Sequence, residues 1–188
     1  MGLFSYKVLY LIMSEFLKIE DGKSYFITMT IVDWVDLFTR ECYVNILIDS
    51  IKYCQQNKGL EVYSYVIMPS HAHFIVSSAG NLSDILRDLK EHTSKQIIKE
   101  ITANIQESRR EWLLEKFTIG QSTKTGKQAF RVWIPGNHPE ELYSDKFITQ
   151  KENYIHMNPV VAGIVSQPQH YRLSSASDES PIKVLPLR

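Results

Sequence analysis

Two histidines one residue apart, His71 and His73, lie in the run His71-Ala-His-Phe-Ile-Val76. A run of this composition reads as a strand, where side chains alternate between faces. Both imidazoles therefore project from one face while Ala72 and Phe74 point to the other. Such a pair suits a divalent ion, and it equally describes two surface histidines that bind nothing. A second cluster, Glu152-Asn-Tyr-Ile-His-Met-Asn-Pro159, sets Tyr154 and Asn158 four residues apart, on one face of a helix. A phenol and a carboxamide aimed together can serve as nucleophile and polar ligand. The same spacing also fits a Tyr154 that sits in the core, seven residues after Phe147, with its hydroxyl satisfied. His156 points roughly 160° away from Tyr154 around a helix and so lies outside any site there. His138 reads as a structural hydrogen-bonding residue, and His92 and His170 as solvent-facing.

The elements that must position these groups follow from periodicity. Residues 25–32, rich in aromatic and β-branched side chains, form a first strand. Thr39 is the expected cap of a helix whose apolar positions Tyr43, Ile46, Leu47, Ile51 and Cys54 stop before Gly59. Strands over 61–68 and 71–76, joined only by Pro69-Ser70, form an antiparallel hairpin. A long amphipathic helix starts at Leu82, capped by Asn81 or Ser83, and a short one holds Trp112, Leu113 and Phe117. A polar stretch, 120–128, reads as a mobile loop, and 129–134 as a further strand. The last helix, capped by Ser144 or Asp145, runs to Asn158-Pro159, where proline is expected to stop it. The order strand, helix, strand, strand, helix, strand is the split β-α-β arrangement. The expected fold is α+β and ferredoxin-like: an antiparallel sheet with helices on one face and an extra C-terminal helix carrying Tyr154.

Composition sets the frame: 188 residues, 44% hydrophobic, with 21 basic and 21 acidic side chains, make one globular domain that needs no disulfide or structural metal to fold. The domain is expected over 14–173. Residues 1–13 form an N-terminal extension of doubtful structural importance, with Met13-Ser14 as an alternative start, and the polar tail 174–188 is expected to fray. The longest apolar stretch, Val8 to Met13, is too short to span a bilayer and no signal-peptide pattern precedes it, so no membrane partner and a cytoplasmic location are expected. Cys42 and Cys54, on one helix, cannot pair, which fits a reducing compartment. The zero net charge hides a local excess, since 109–131 carries 6 basic and 2 acidic residues. Arg109, Arg110, Lys116, Lys124, Lys127 and Arg131 could therefore contact phosphates, against the plainer reading of a solvated loop.

Taken with their surroundings, the clusters resemble a known family. Val66-Ile-Met-Pro-Ser-His-Ala-His-Phe-Ile75 is similar to the VIMPNHVHLL signature of the HUH single-tyrosine transposases. Tyr154-Ile-His-Met-Asn-Pro-Val-Val-Ala-Gly-Ile-Val165 resembles their downstream YIHNNPVRAGLV block. The segment Trp133-Ile-Pro-Gly-Asn-His-Pro-Glu-Glu-Leu142 has the look of the REP-associated, IS200-like subgroup. Small Ala72 and Ser70 depart from the commoner residues without removing a ligand, and 106–128 is longer than in compact members. With the resemblance, Arg109, Arg110, Lys124, Lys127 and Arg131 become candidates for DNA-backbone contact. The resemblance implies that His71, His73 and Asn158 hold a divalent metal, Mg2+ or Mn2+, and that Tyr154 is the nucleophile. It implies cleavage and rejoining of single-stranded or hairpin DNA through a covalent 5′-phosphotyrosine, by a monomer or a homodimer. Lys151, one turn before Tyr154, is a candidate proton acceptor. Two other readings stay open: a domesticated DNA- or RNA-binding module that no longer cleaves, and a metal hydrolase in which Tyr154 only positions substrate.

Overall fold

The computed structural model describes residues 19–20, 22–121 and 128–187. Its centre is a four-stranded antiparallel sheet ordered β2-β3-β1-β6, built from β1 (Tyr25–Thr30), β2 (Leu60–Ile67), β3 (His71–Ser78) and β6 (Glu140–Glu141). β1 and β2 both pair antiparallel with β3 and are therefore parallel to each other, with α1 (Glu41–Asn57) as their crossover. This is the expected split β-α-β order. A two-stranded ribbon of β4 (Thr118–Gln121) and β5 (Gln128–Phe130) stands apart from the sheet.

Register divides the sheet into two faces, because a strand alternates its side chains. Ile27, Met29, Ala72, Phe74 and Val76 face α1 and α2 (Leu82–Ala103), where Tyr43, Leu47, Ile51, Leu86, Leu89 and Ile97 complete the main core. α3 (Arg110–Phe117) adds Leu113 and Phe117. The other face carries Phe26, Val66 and Ile75, which form a smaller cluster with Ile155 of α4 (Asp145–Val161), the helix of Tyr154. Asn81 and Ser144 cap α2 and α4 by accepting from the backbone N–H of Asp84 and Phe147, as expected of such residues.

Four sequence expectations are corrected. The strand expected over 129–134 is split: β5 belongs to the separate ribbon, and Trp133 forms only an isolated bridge to Ile31. The fourth position of the sheet is filled later. Ile134 N–H donates to Thr30 O (2.8 Å), Thr28 N–H to Asn137 O (3.0 Å), and β6 pairs with Tyr25 and Phe26. The break falls at Pro135-Gly136, where Pro135 has no N–H to donate and Gly136 takes φ 81°. The ammonium of Lys90 reaches from α2 to hold the carbonyls of Ile134 and Gly136, and burial pushes it down to about 8. Second, Thr39 does not cap α1; its hydroxyl donates to the Asp36 carbonyl and the helix starts at Glu41 without a side-chain cap. Third, α4 continues through Pro159 to Val161, because the missing N–H falls in the last turn, and the chain leaves at Gly163 with φ 70°. Of the stretch expected as a mobile loop, 122–127 lies outside the described residues and its flanks form β4 and β5.

Fourth, the polar tail does not fray. β2 is an edge strand, and an uncovered edge leaves a row of unpaired backbone groups. The tail covers it: Ile67 N–H donates to Leu173 O (2.8 Å), Ser175 N–H to Tyr65 O (2.9 Å) and Leu185 N–H to Val62 O (2.8 Å). The Tyr65 hydroxyl meets Ser180 Oγ, and Ile182 is fully buried in the main core. Composition misled because the serines are used as hydrogen-bonding partners to an edge, not as solvated residues. Truncation after Leu173 is expected to lower the urea midpoint strongly, and Ile182→Ala alone to cost about 2–4 kcal/mol. A truncated chain that unfolds at the full-length midpoint would contradict this packing.

Candidate active site

The site begins with the pairing of β1 and β3. Thr28 lies directly opposite His73, and Thr30 opposite His71. Thr28 Oγ1 is 2.9 Å from His73 Nδ1, and Ser70 Oγ is 3.2 Å from His71 Nδ1. With hydrogen on each Nδ1, these hydroxyls accept, both rings are oriented, and each Nε2 keeps its lone pair. The two rings lie 4.9 Å apart between centroids. Phe26 stacks on His73 at 5.3 Å, and Trp34 meets His71 edge-on at 5.4 Å.

α4 crosses over this face and brings in the second cluster. The Tyr154 ring lies 5.2 Å from His73 and 5.9 Å from Phe26, both edge-to-face. Its position is half exposed at 50%, whereas His73 is only 5% exposed. Asn158, one turn on, faces His71 closely enough for its side chain to favour the protonated ring. The four residues singled out in two separate motifs are thus gathered at one place, within one chain. Lys151, one turn before Tyr154, pairs with Glu140 Oε1 at 2.7 Å and lies 4.3 Å above the Phe26 ring. An ammonium so paired supplies positive charge to the site and is poorly placed to take a proton.

Burial sets the electrostatics. It pushes the His73 imidazole down to about 3, with further lowering from the His71 and Lys151 charges. It also lowers His71, against an opposing contribution from Asn158. Both rings are therefore neutral near neutral pH, the form that donates to a metal. Among the described residues no group of three or more His, Cys, Asp or Glu side chains is arranged to hold an ion. Two oriented imidazoles and the Asn158 carboxamide nevertheless fit a divalent ion that takes its remaining ligands from water and phosphate.

The remaining candidates lie elsewhere. Arg109 contacts the buried Glu107 carboxylate through Nε at 3.1 Å and the Asp36 carbonyl through Nη1 at 2.9 Å. Arg110 Nε donates to the Thr102 carbonyl near the end of α2. Arg131 is exposed beyond β5, and Lys124 and Lys127 lie outside the described residues. His156, as its spacing implies, turns from the site and meets Ser64 and Ser175 at 3.3 and 2.9 Å. Thr28, Ser70, Phe26 and Trp34 join the site without a sequence signal that assigns them to it. Ser70 and Thr28 are polar residues beside or inside apolar strands, but only the register shows which ring each one meets.

The sequence matches the family described as "Transposase IS200 like" over residues 24–127, more than half of the chain. The chain belongs to the IS200-like transposase family. That span includes both histidines and ends before α4, so the family match and the placement of Tyr154 are independent observations. The fold is similar to that of a solved REP-associated tyrosine transposase bound to a REP hairpin, with TM-score 0.58, 18% identity, and coverage of 83% of this chain and 78% of that one. A structure from Deinococcus radiodurans R1 aligns with TM-score 0.43 and 16% identity over 74% of this chain and 95% of that one. No curated relative matches the sequence. No described helix of this IS200-like transposase is long and apolar enough to cross a membrane.

The neutral imidazoles make a prediction about acid stability. Unfolded histidine binds its proton near pH 6.5, whereas folded His73 waits until about 3 and folded His71 titrates below 6.5. The unfolded state therefore binds more protons across that window, and stability falls as pH falls through it. Urea unfolding from pH 7 to pH 4 is expected to show a loss of a few kcal/mol, with a shallower slope for His73→Gln. Parallel slopes for the two proteins would contradict the buried, neutral imidazole.

Proposed function

We propose that this IS200-like transposase cuts and rejoins single-stranded DNA through Tyr154, at a divalent-metal site formed by His71, His73 and Asn158. The observation that carries the reading is the Tyr154 ring 5.2 Å from His73, with Asn158 on the same helix face beside His71. Tyr154 Oη attacks the scissile phosphorus, the bond from phosphorus to the 3′-oxygen breaks, and a 5′-phosphotyrosine and a free 3′-hydroxyl result. A bound Mg2+ or Mn2+ supplies Lewis-acid withdrawal of charge from that phosphate. Lys151 adds a fixed positive charge one helical turn from the nucleophile. Half-exposure of Tyr154 leaves room for a strand to reach it, and reversal of the same step rejoins DNA without an external energy source.

The solved relative holds a REP hairpin, and a DNA hairpin with a single-stranded flank is the substrate class we assign to this chain. Arg109 and Arg110 are anchored to Glu107 and Thr102 and would offer phosphates a preset surface. Exposed Arg131 adds to that basic surface, and Lys124 and Lys127 lie outside the described residues. That His71, His73, Tyr154 and Asn158 meet within one chain supports chemistry by a monomer.

Incubating the protein and Mn2+ with 3′-labelled hairpin DNA from the flanks of its own gene is expected to give the downstream fragment linked to protein through its 5′-phosphate on denaturing electrophoresis. Tyr154→Phe is expected to abolish the adduct while retaining DNA binding, and EDTA to abolish it reversibly. Strand cleavage that persists in Tyr154→Phe would indicate water as nucleophile. Tight binding with no adduct would indicate a binding module.

A further inference from the structure

Trp34 stands at the rim of the site in a conformation that tryptophan rarely adopts. It closes the 3-10 turn Val32–Trp34, and both Asp33 and Trp34 take φ 54°, the left-handed region disfavoured for residues with a Cβ. Two such residues in succession persist only where their surroundings over-determine them. Here they do. Buried Ile31 and Val35 fix the two ends, Val32 N–H donates to Val132 O (2.9 Å), and Trp34 N–H donates to Ile31 O (3.0 Å). On the outside Lys116 Nζ pairs with Asp33 Oδ2 at 3.0 Å, and Arg109 holds the Asp36 carbonyl.

The outcome of this strain is an indole left 61% exposed, its ring 5.4 Å from His71 at 66°. Burying an indole is favourable, so a constrained turn that presents one to solvent points to a partner for the ring. The local charge says what kind. Asp33 is paired with Lys116 and Asp36 adds a negative charge, so the rim offers a phosphate no net attraction, whereas a nucleobase is uncharged and stacks on an aromatic face.

We propose that Trp34 is the stacking platform for the base next to the phosphate that Tyr154 attacks. The inference rests on the single-strand reading above and adds a binding residue to it. A strand whose phosphate lies against His71 and His73 brings its adjacent base, one sugar away, over the indole. Stacking needs no base-specific hydrogen bond, so the platform tolerates sequence and holds the strand unpaired at the point of cleavage.

The test measures fluorescence anisotropy of a labelled dT20 strand in EDTA, which removes both cleavage and any effect through metal at His71. Trp34→Ala is expected to weaken binding about ten-fold, within the range for losing one stacked base. Trp34→Phe is expected to retain most of the affinity. A dT20 backbone made fully abasic is expected to bind wild type and Trp34→Ala alike. In Trp112→Phe, which keeps Trp34 and the buried Trp133, dT20 is expected to quench the emission, and adding Trp34→Phe to remove that quench. Equal dT20 affinity for wild type and Trp34→Ala overturns the platform and leaves the cleavage reading intact. An equal loss on the normal and abasic strands also overturns it, since fold or charge is then the cause. Wild type that binds neither strand also overturns the platform, because a sequence-tolerant stack must act on dT20, while the hairpin adduct assay judges the cleavage reading.

Discussion

The register between β1 and β3, which sets Thr28 against His73, is the constraint on which the site depends. β3 is an inner strand with apolar packing on both faces, and a slip of one residue would turn His71 and His73 into the α1/α2 core and Ala72 and Phe74 toward α4. The cost of placing imidazoles among Ile27, Met29 and Tyr43 forbids that alternative. One pairing therefore fixes which face holds the histidines, supplies the hydroxyl that orients His73, and leaves Phe26 beside it as a wall on which α4 packs. The covered edge of β2 and the Lys90-held turn at Pro135-Gly136 keep the same sheet from fraying on either side.

Electrostatics at this face come from burial more than from paired charges. Among the described residues only Lys151 and Glu140 bring an ion pair to it, and the ammonium is held over Phe26. The imidazoles are kept neutral by their apolar surroundings, so in the proposed reaction the protein would contribute donor atoms and orientation and the phosphate the negative charge. Half-exposed Tyr154 and exposed Trp34 flank the histidines on the open side, which gives a strand an approach that does not require the core to move.

Much of this was legible in the residues because each motif sits on an element with a strong period. The alternation around His71-Ala72-His73 gave the shared face, and the four-residue step from Tyr154 to Asn158 gave the second. What could not be read was whatever depends on pairing between distant segments. Glu140-Glu141 is too short and too acidic to announce a strand, yet it holds the fourth position because β1 offers it an open edge. The serines of 174–180 look solvated until β2 is seen to need partners. Trp34 carries no periodic signal, and its left-handed backbone is set by Ile31, Val35 and Lys116 together. Arg109 and Arg110 read as a basic patch because the sequence does not show that Glu107 is buried beside them.

The central claim is that the two imidazoles act together as ligands of one ion. Pulsed electron paramagnetic resonance of the protein loaded with one equivalent of Mn2+ tests it directly. The account predicts coupling of the ion to two histidine nitrogens, reduced to one in His71→Ala and in His73→Ala and unchanged in Tyr154→Phe. Bound Mn2+ with no histidine nitrogen coupling, or a signal indifferent to both histidine substitutions, would contradict it.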